Sequence, residues 1–145
     1  MIPLVDRAAD AVIGWHAGAP QTTREFLASV ARVADALPTG DHIINLVRER
    51  YPFSVAFAAI IAAGKTNVLP PNDKPTVQQE LAARFDGASV LHDGIDIASG
   101  VNAQRIQLDA AATDAHTTHA QIDAAHIAAI AFTSGTTGDA KPIAK

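Results

Sequence analysis

"HIINLVRERYPFSVAFAAIIAAGKTNVLP", residues 42–70, decides the fold. Its first six residues form a short run rich in β-branched and apolar side chains, which reads as a buried strand. "YPFSVAFAAIIAAG" (51–64) then reads as a helix: Pro52 suits a first turn and Gly64 a C′ position. That helix is apolar nearly all round, so it must be packed on more than one side. "TNVLP" (66–70) is a second strand, closed by Pro70 and Pro71. Strand, helix and strand joined by short links specify a parallel β-α-β unit.

The pattern continues in both directions. Upstream, "TTREFLASVARVADALP" (22–38) opens on Thr22 with Glu25 three residues later, a capping-box signature. Phe26, Leu27, Val30, Val33, Ala34 and Leu37 fall on one face of that helix, and Pro38 and Gly40 end it. Downstream, "PPNDKP" is a turn-rich loop. Thr76 and Gln79 form a second capping-box pattern, and Val77, Leu81, Ala82 and Phe85 face one way. Gly87 ends that helix, and "ASVLHD" (88–93) is a third strand. "RIQL" (105–108) reads as a further short strand, and the Ala-, Thr- and His-rich residues 109–125 as a surface loop with a helical turn. "HIAAIAFT" (126–133) is wholly apolar up to its last residue and reads as a central strand. The expected fold is α/β, with alternating helices and a largely parallel sheet. No composition break divides residues 1–145, which read as a single domain.

Composition narrows the function. Apolar residues make up 48% and charged residues 18% of the 145, a globular balance. Net charge is −4 with no basic block, so no nucleic-acid surface is expected. Cysteine is absent, which excludes disulfides, zinc–thiolate sites and a cysteine nucleophile. The first residues carry Asp6, Arg7 and Asp10 and no long apolar core, unlike a signal peptide. The longest apolar run is too short to span a bilayer. A cytoplasmic protein is the expectation.

Chemistry concentrates at "IAFTSGTTGDAK" (130–141). Gly135 and Gly138 free the backbone for a tight loop and let an anion approach the amides. Thr133, Ser134, Thr136 and Thr137 add hydroxyl donors, and Lys141 adds a positive charge. Such a set suits a polyphosphate. No acid, base or nucleophile stands in the loop, so its chemistry is positioning and charge neutralisation. A solvated Gly/Ser/Thr turn without a ligand fits the residue types as well.

The whole stretch Ile130–Lys141 resembles the phosphate-loop signature of the adenylate-forming superfamily: an apolar residue, two spacers, T-S-G-T-T-G, a spacer, a small residue or proline, and a lysine. The order of elements upstream is similar too, so the resemblance runs over residues 22–145. Ala140 stands where many members have proline, and "KPIAK" replaces a lysine-glycine-apolar exit. The resemblance implies an ATP-dependent acid ligase. Such an enzyme activates a fatty or aromatic carboxylate as its acyl-adenylate and transfers it to a thiol of CoA or a carrier protein. Thr133, Ser134, Gly135, Thr136, Thr137, Gly138 and Lys141 would then hold the ATP phosphates, with Mg2+ on them and no protein ligand for the metal identifiable. Members are several times longer than 145 residues. The chain is therefore expected to be the N-terminal part of an AMP-binding domain, without catalytic residues or activity of its own. A sheet cut short is expected to self-associate or to leave residues 134–145 poorly ordered. The competing class is a non-catalytic α/β module that binds an anion or a protein partner.

Other motifs carry less. "AAGKT" (62–66) lacks the first glycine of a Walker loop and follows a helix instead of preceding one, so Lys65 reads as a solvated charge beyond a helix end. His116, His119 and His126, with Asp114 and Asp123, suit metal ligation only if their segment is helical. Asp93 and Asp96 read as a turn after a strand, and Trp15 with His16 as packing. No dinucleotide-type glycine loop follows "HIINLV".

Overall fold

Capping decides where the first long helix begins. Thr22 accepts the Glu25 backbone N–H, and the Glu25 carboxylate accepts the Thr22 N–H at 2.7 Å, so the capping box forms as the sequence requires. The computed structural model describes residues 1–108, 120–133 and 141–145, with Thr133 and Lys141 described at the level of the backbone. The chain runs β1 (Ile2–Pro3), β2 (Val12–His16), β3 (Ala19–Thr22), α1 (Thr23–Asp35), β4 (His42–Leu46), α2 (Arg50–Ala62), β5 (Thr66–Leu69), α3 (Pro75–Arg84), β6 (Ser89–His92), β7 (Ala103–Arg105), β8 (Gln121–Ile122), β9 (Ala129–Thr133) and β10 (Lys141–Ala144).

Six strands form the central sheet in the order β10-β9-β5-β4-β6-β7. All neighbours are parallel except β10, which runs antiparallel to β9. Alternation along the strands sends side chains to two faces. Ile43 and Leu91 join Val30, Val33, Val55 and Ile60 in a core under α1 and α2. Ile44, Val68 and Val90 join Leu81 in a second core under α3. Helices therefore cover both faces, and β4 is buried from Ile43 to Leu46, as is Val47 after it. Each fully buried Ile, Val or Leu contributes about 1.5–3 kcal/mol relative to exposure. That burial explains why 42–70 is apolar almost throughout.

Within this apolar sheet sits a pair of amides. Asn45 of β4 is 4% exposed and Asn67 of β5 is 0% exposed. Asn45 Nδ2 donates to Asn67 Oδ1 at 3.1 Å, and Asn45 Oδ1 accepts the Val47 N–H at 3.2 Å. Asn67 Nδ2 donates to the carbonyls of Phe57 in α2 (3.3 Å) and Ala128 (3.1 Å). One buried side chain thus ties two strands, a helix and the entry to β9 together.

Other elements depart from the sequence reading. α3 begins at Pro75 with Lys74 as N-cap, and no Thr76–Gln79 capping box forms. Proline presets the helical φ at the first turn, and Gln79 Nε2 donates to Ser99 O instead (3.1 Å). The strand read at 105–108 lies at 103–105, because β6 ends at His92, the partner of Arg105. Ile106 and Leu108 pack against the α1–α2 core. The β2–β3 hairpin escaped notice. Its two-residue turn uses Ala17 (φ 50°) and Gly18 (φ 78°), and alanine seldom takes a left-handed conformation. Lys65 is not simply solvated: its ammonium donates to Gly40 O. Trp15 is not a packing residue, being 67% exposed. Residues 109–119, including His116 and His119, lie outside the described residues, while His126 Nε2 sits 2.8 Å from Lys65 O.

Asn67→Leu strands the Asn45 amide in an apolar layer and removes two donors from carbonyls it serves. Urea unfolding of this variant is expected to show a loss of about 1–3 kcal/mol. A change below about 0.5 kcal/mol would contradict the role given to the amide pair.

Candidate functional site at the carboxyl edge of the sheet

Because β4, β5, β6 and β9 are parallel, their carboxyl ends share one edge of the sheet. From that edge the chain leaves β4 toward α2 on one face and leaves β5 toward α3 on the other. Two adjacent strands whose connections diverge leave a crevice between their ends, the usual ligand position in open α/β sheets. Here the crevice is present, with a volume of about 390 Å³. Leu46, Val47, Phe53, Leu69 and Pro70 give it apolar walls, and Asn45, Arg48, Asn72 and Asp73 complete the lining.

Asp93, just past β6, holds Arg48, one of the residues lining that crevice. Its Oδ2 accepts the N–H groups of Arg48 (2.8 Å) and Glu49 (2.9 Å), and its Oδ1 lies 3.6 Å from Arg48 Nε. Burial alone would raise the Asp93 pKa, but the two backbone N–H groups and the Arg48 charge together hold it below the ordinary carboxylate value. Asp93 thus serves the start of α2, whose N-cap residue Glu49 makes no side-chain cap of its own. "RERYP" offers no Ser, Thr, Asp or Asn to open the helix, and Asp93 instead holds the two residues that lead into it. Next to it, His92 Nδ1 accepts the Gly94 N–H at 3.1 Å. Burial first, and the Arg105 charge second, lower the His92 pKa, outweighing the raising effect of Asp93.

On the opposite side, Gln78 of α3 is 0% exposed and fully bonded. Its Nε2 donates to Asp73 O and Asp96 O, and its Oε1 accepts the Ala98 N–H, all at 2.9 Å. The β5–α3 turn that lines the crevice is tied in this way to the segment after β6.

Of the phosphate-loop candidates, Thr133 and Lys141 are described, and both lie at the end of β9, the strand beyond β5. The register of β9 is set at its entrance: Thr66 Oγ1 donates to Ile127 O (2.9 Å) and the Asn67 N–H to Ala128 O (3.0 Å). β9 then pairs Asn67↔Ala129 through Leu69↔Ala131. Thr133 ends β9 and Lys141 begins β10, and the two are direct cross-strand partners. Ser134, Gly135, Thr136, Thr137 and Gly138 lie outside the described residues. The backbone of 141–144 continues as an edge strand, where Pro142 is tolerated because its missing N–H can face away from the ladder. The altered exit "KPIAK" therefore turns straight back along β9. Of β9 itself, Ala129 is buried and Ile130, Ala131 and Phe132 only partly so, less than a wholly apolar run suggests. Phe132 is covered by Phe85, with ring centroids 6.4 Å apart, and by the Arg84 guanidinium, 5.5 Å from its centroid.

Solved structures with this arrangement include an ATP-bound RpMatB-BxBclM chimera. It is 25% identical with a TM-score of 0.73 over 97% of this chain and 32% of that one. A malonyl-CoA ligase with methylmalonyl-CoA and AMP bound matches at 19% identity and a TM-score of 0.72, over 98% of this chain and 31% of its own. The fold is that of the N-terminal part of adenylate-forming enzymes. Another member of that group, the nonribosomal peptide synthetase FmoA3 in its AMPPNP-bound form, matches at 19% identity and 0.68, over 93% of this chain and 15% of its own. The chain thus spans a third or less of the length of these adenylate-forming relatives. No family model and no curated protein matches the sequence. Among the described residues no helix is long and apolar enough to cross a membrane.

Asp93→Asn keeps the shape of the side chain and removes its charge. With a depressed folded pKa, Asp93 contributes stability that is complete above the unfolded carboxylate value near about 4 and lost as pH falls through the folded one. Urea unfolding at pH 7 is expected to show Asp93→Asn less stable by about 0.5–2 kcal/mol, with the gap closing toward pH 2. A gap that is absent at pH 7, or unchanged at low pH, would contradict the assignment.

Proposed function

We propose that this chain is the N-terminal part of an ATP-dependent acid ligase. The whole enzyme activates an organic carboxylate, fatty or aromatic, as an acyl-adenylate and passes the acyl group to a thiol of CoA or a carrier protein. The observation that supports this reading is where the described ends of "IAFTSGTTGDAK" lie: Thr133 closes β9 and Lys141 opens β10, and β9 pairs with β5, which borders the switch-point crevice. The nucleotide-bound forms of the chimera and the peptide synthetase support ATP as the nucleotide.

In this reading Thr133, Ser134, Gly135, Thr136, Thr137 and Gly138 supply main-chain N–H groups and hydroxyls to the ATP phosphates, and Lys141 supplies an ammonium. Neutralising the phosphates withdraws electron density from the α-phosphorus, where the carboxylate attacks and pyrophosphate leaves. Mg2+ would add charge neutralisation at the phosphates. Among the described residues no group of three His, Asp or Glu side chains converges to hold a metal, and no protein ligand is assigned to the ion. A base is not needed, since the attacking carboxylate is already ionised at neutral pH. The 1–145 segment binds and positions, and catalysis of the acyl transfer belongs to the longer protein.

Full-length protein carrying Lys141→Ala, assayed by hydroxamate trapping across a panel of acids, is expected to lose on the order of 100-fold in kcat/KM. Lys145→Ala, outside the signature, serves as the control and stays near wild type. Unchanged turnover in Lys141→Ala would remove the lysine from the phosphate grip, and an inactive full-length parent would favour the non-catalytic anion-binding or interaction module.

A further inference from the structure

We propose that the groove between the β2–β3 hairpin and the starts of α1 and α2 binds a small apolar carboxylate, as a site separate from the phosphate loop. The groove has a volume of about 520 Å³, within the range of small-molecule sites. Trp15, Phe26 and Tyr51 provide aromatic walls, and Arg50 and Ser54 sit at the polar side. It shares no lining residue with the β4–β5 crevice.

Its walls are built firmly. Gly14 brings the hairpin backbone against the Tyr51 ring, so closely that a Cβ there would meet Tyr51 Cδ2 at 3.2 Å. His16 stacks on Tyr51 with centroids 5.4 Å apart, and Phe26 meets the same ring edge-on at 6.1 Å. Against this fixed base Trp15 stands 67% exposed, an arrangement that leaves a large apolar surface without an internal partner.

Charge selects the ligand class. Arg24 is paired with Asp10 at 3.1 Å and Arg48 with Asp93 at 3.6 Å. Arg50 makes no ion pair among the described residues; Glu49 precedes it at the N-cap of α2, and the Glu25 carboxylate, which acts on Tyr51, is engaged by Thr22. Aromatic walls beside one planar guanidinium fit a ligand with an apolar body and one carboxylate, which a guanidinium can bind through both oxygens. A phosphate has no apolar body to use the walls, and a neutral aromatic leaves Arg50 unserved. This inference does not rest on the ligase reading, since no residue of 133–141 takes part.

Trp15 is the single tryptophan of residues 1–145, so in the full-length protein a fluorescence change that is lost in Trp15→Phe reports on the groove. Titration of the protein with benzoate, excited at the red edge of the indole band, is expected to give a saturable change. Benzamide, matched in shape but uncharged, should bind at least fivefold more weakly. Arg50→Gln, at an exposed position, should lose the preference for benzoate, and Ser54→Leu should abolish saturation by filling the groove. Circular dichroism confirms that each variant is folded. A linear response, an equal response to benzamide, or benzoate affinity unchanged in Arg50→Gln would each overturn the proposal.

Discussion

The Asn45–Asn67 amide pair is the constraint on which the rest of this structure depends. A one-residue slip turns every side chain of a strand to the opposite face, and where both faces are buried the apolar alternation alone discriminates less between registers. A buried amide cannot slide without losing its partner, and an unpaired amide in such a layer is expensive. Asn67 spends its two N–H donors on carbonyls of α2 and of the β9 entrance, while its oxygen takes the donor of Asn45. The relative heights of β4, β5 and β9 follow from that one side chain.

Those heights matter because the proposed phosphate grip and the β4–β5 crevice lie at the carboxyl ends. With β9 locked to β5 at Asn67↔Ala129, Thr133 arrives at the edge where β5 turns toward α3. The same edge carries the crevice, the Asp93 carboxylate that anchors the start of α2, and the Gln78 clamp that holds the β5–α3 turn. A phosphate-binding loop needs a rigid base, since its donors gain most when they are fixed before the anion arrives. In the proposed reading the sheet supplies that base through the buried hydrogen bonds of Asn45 and Asn67.

Much of this was legible in the residues. The β-α-β core of 42–70, the Thr22–Glu25 capping box, the Gly64 helix end and the strand at 126–133 followed from periodicity and capping chemistry. The candidate phosphate loop rests on a resemblance, since glycines and hydroxyls do not by themselves name a nucleotide, and residues 134–138 lie outside the described residues. The hidden parts are of two kinds. Asn45–Asn67, Gln78 and Asp93 act across 20 or more residues of sequence, and local pattern carries no trace of the partner. The hairpin at 12–22 turns on Ala17, whose left-handed backbone contradicts its own propensity. Trp15 was misjudged for a related reason: hydrophobicity places it inside, but the strand that bears it lies against Tyr51 with its backbone and presents the indole outward.

A crystal structure of the full-length protein with a non-hydrolysable ATP analogue and Mg2+ tests the central claim most directly. The account requires the β- and γ-phosphates to lie within hydrogen-bonding distance of main-chain N–H groups of residues 134–138, with the Lys141 ammonium beside them. Phosphates found at another edge of the sheet, or held by residues outside 133–141, would contradict it.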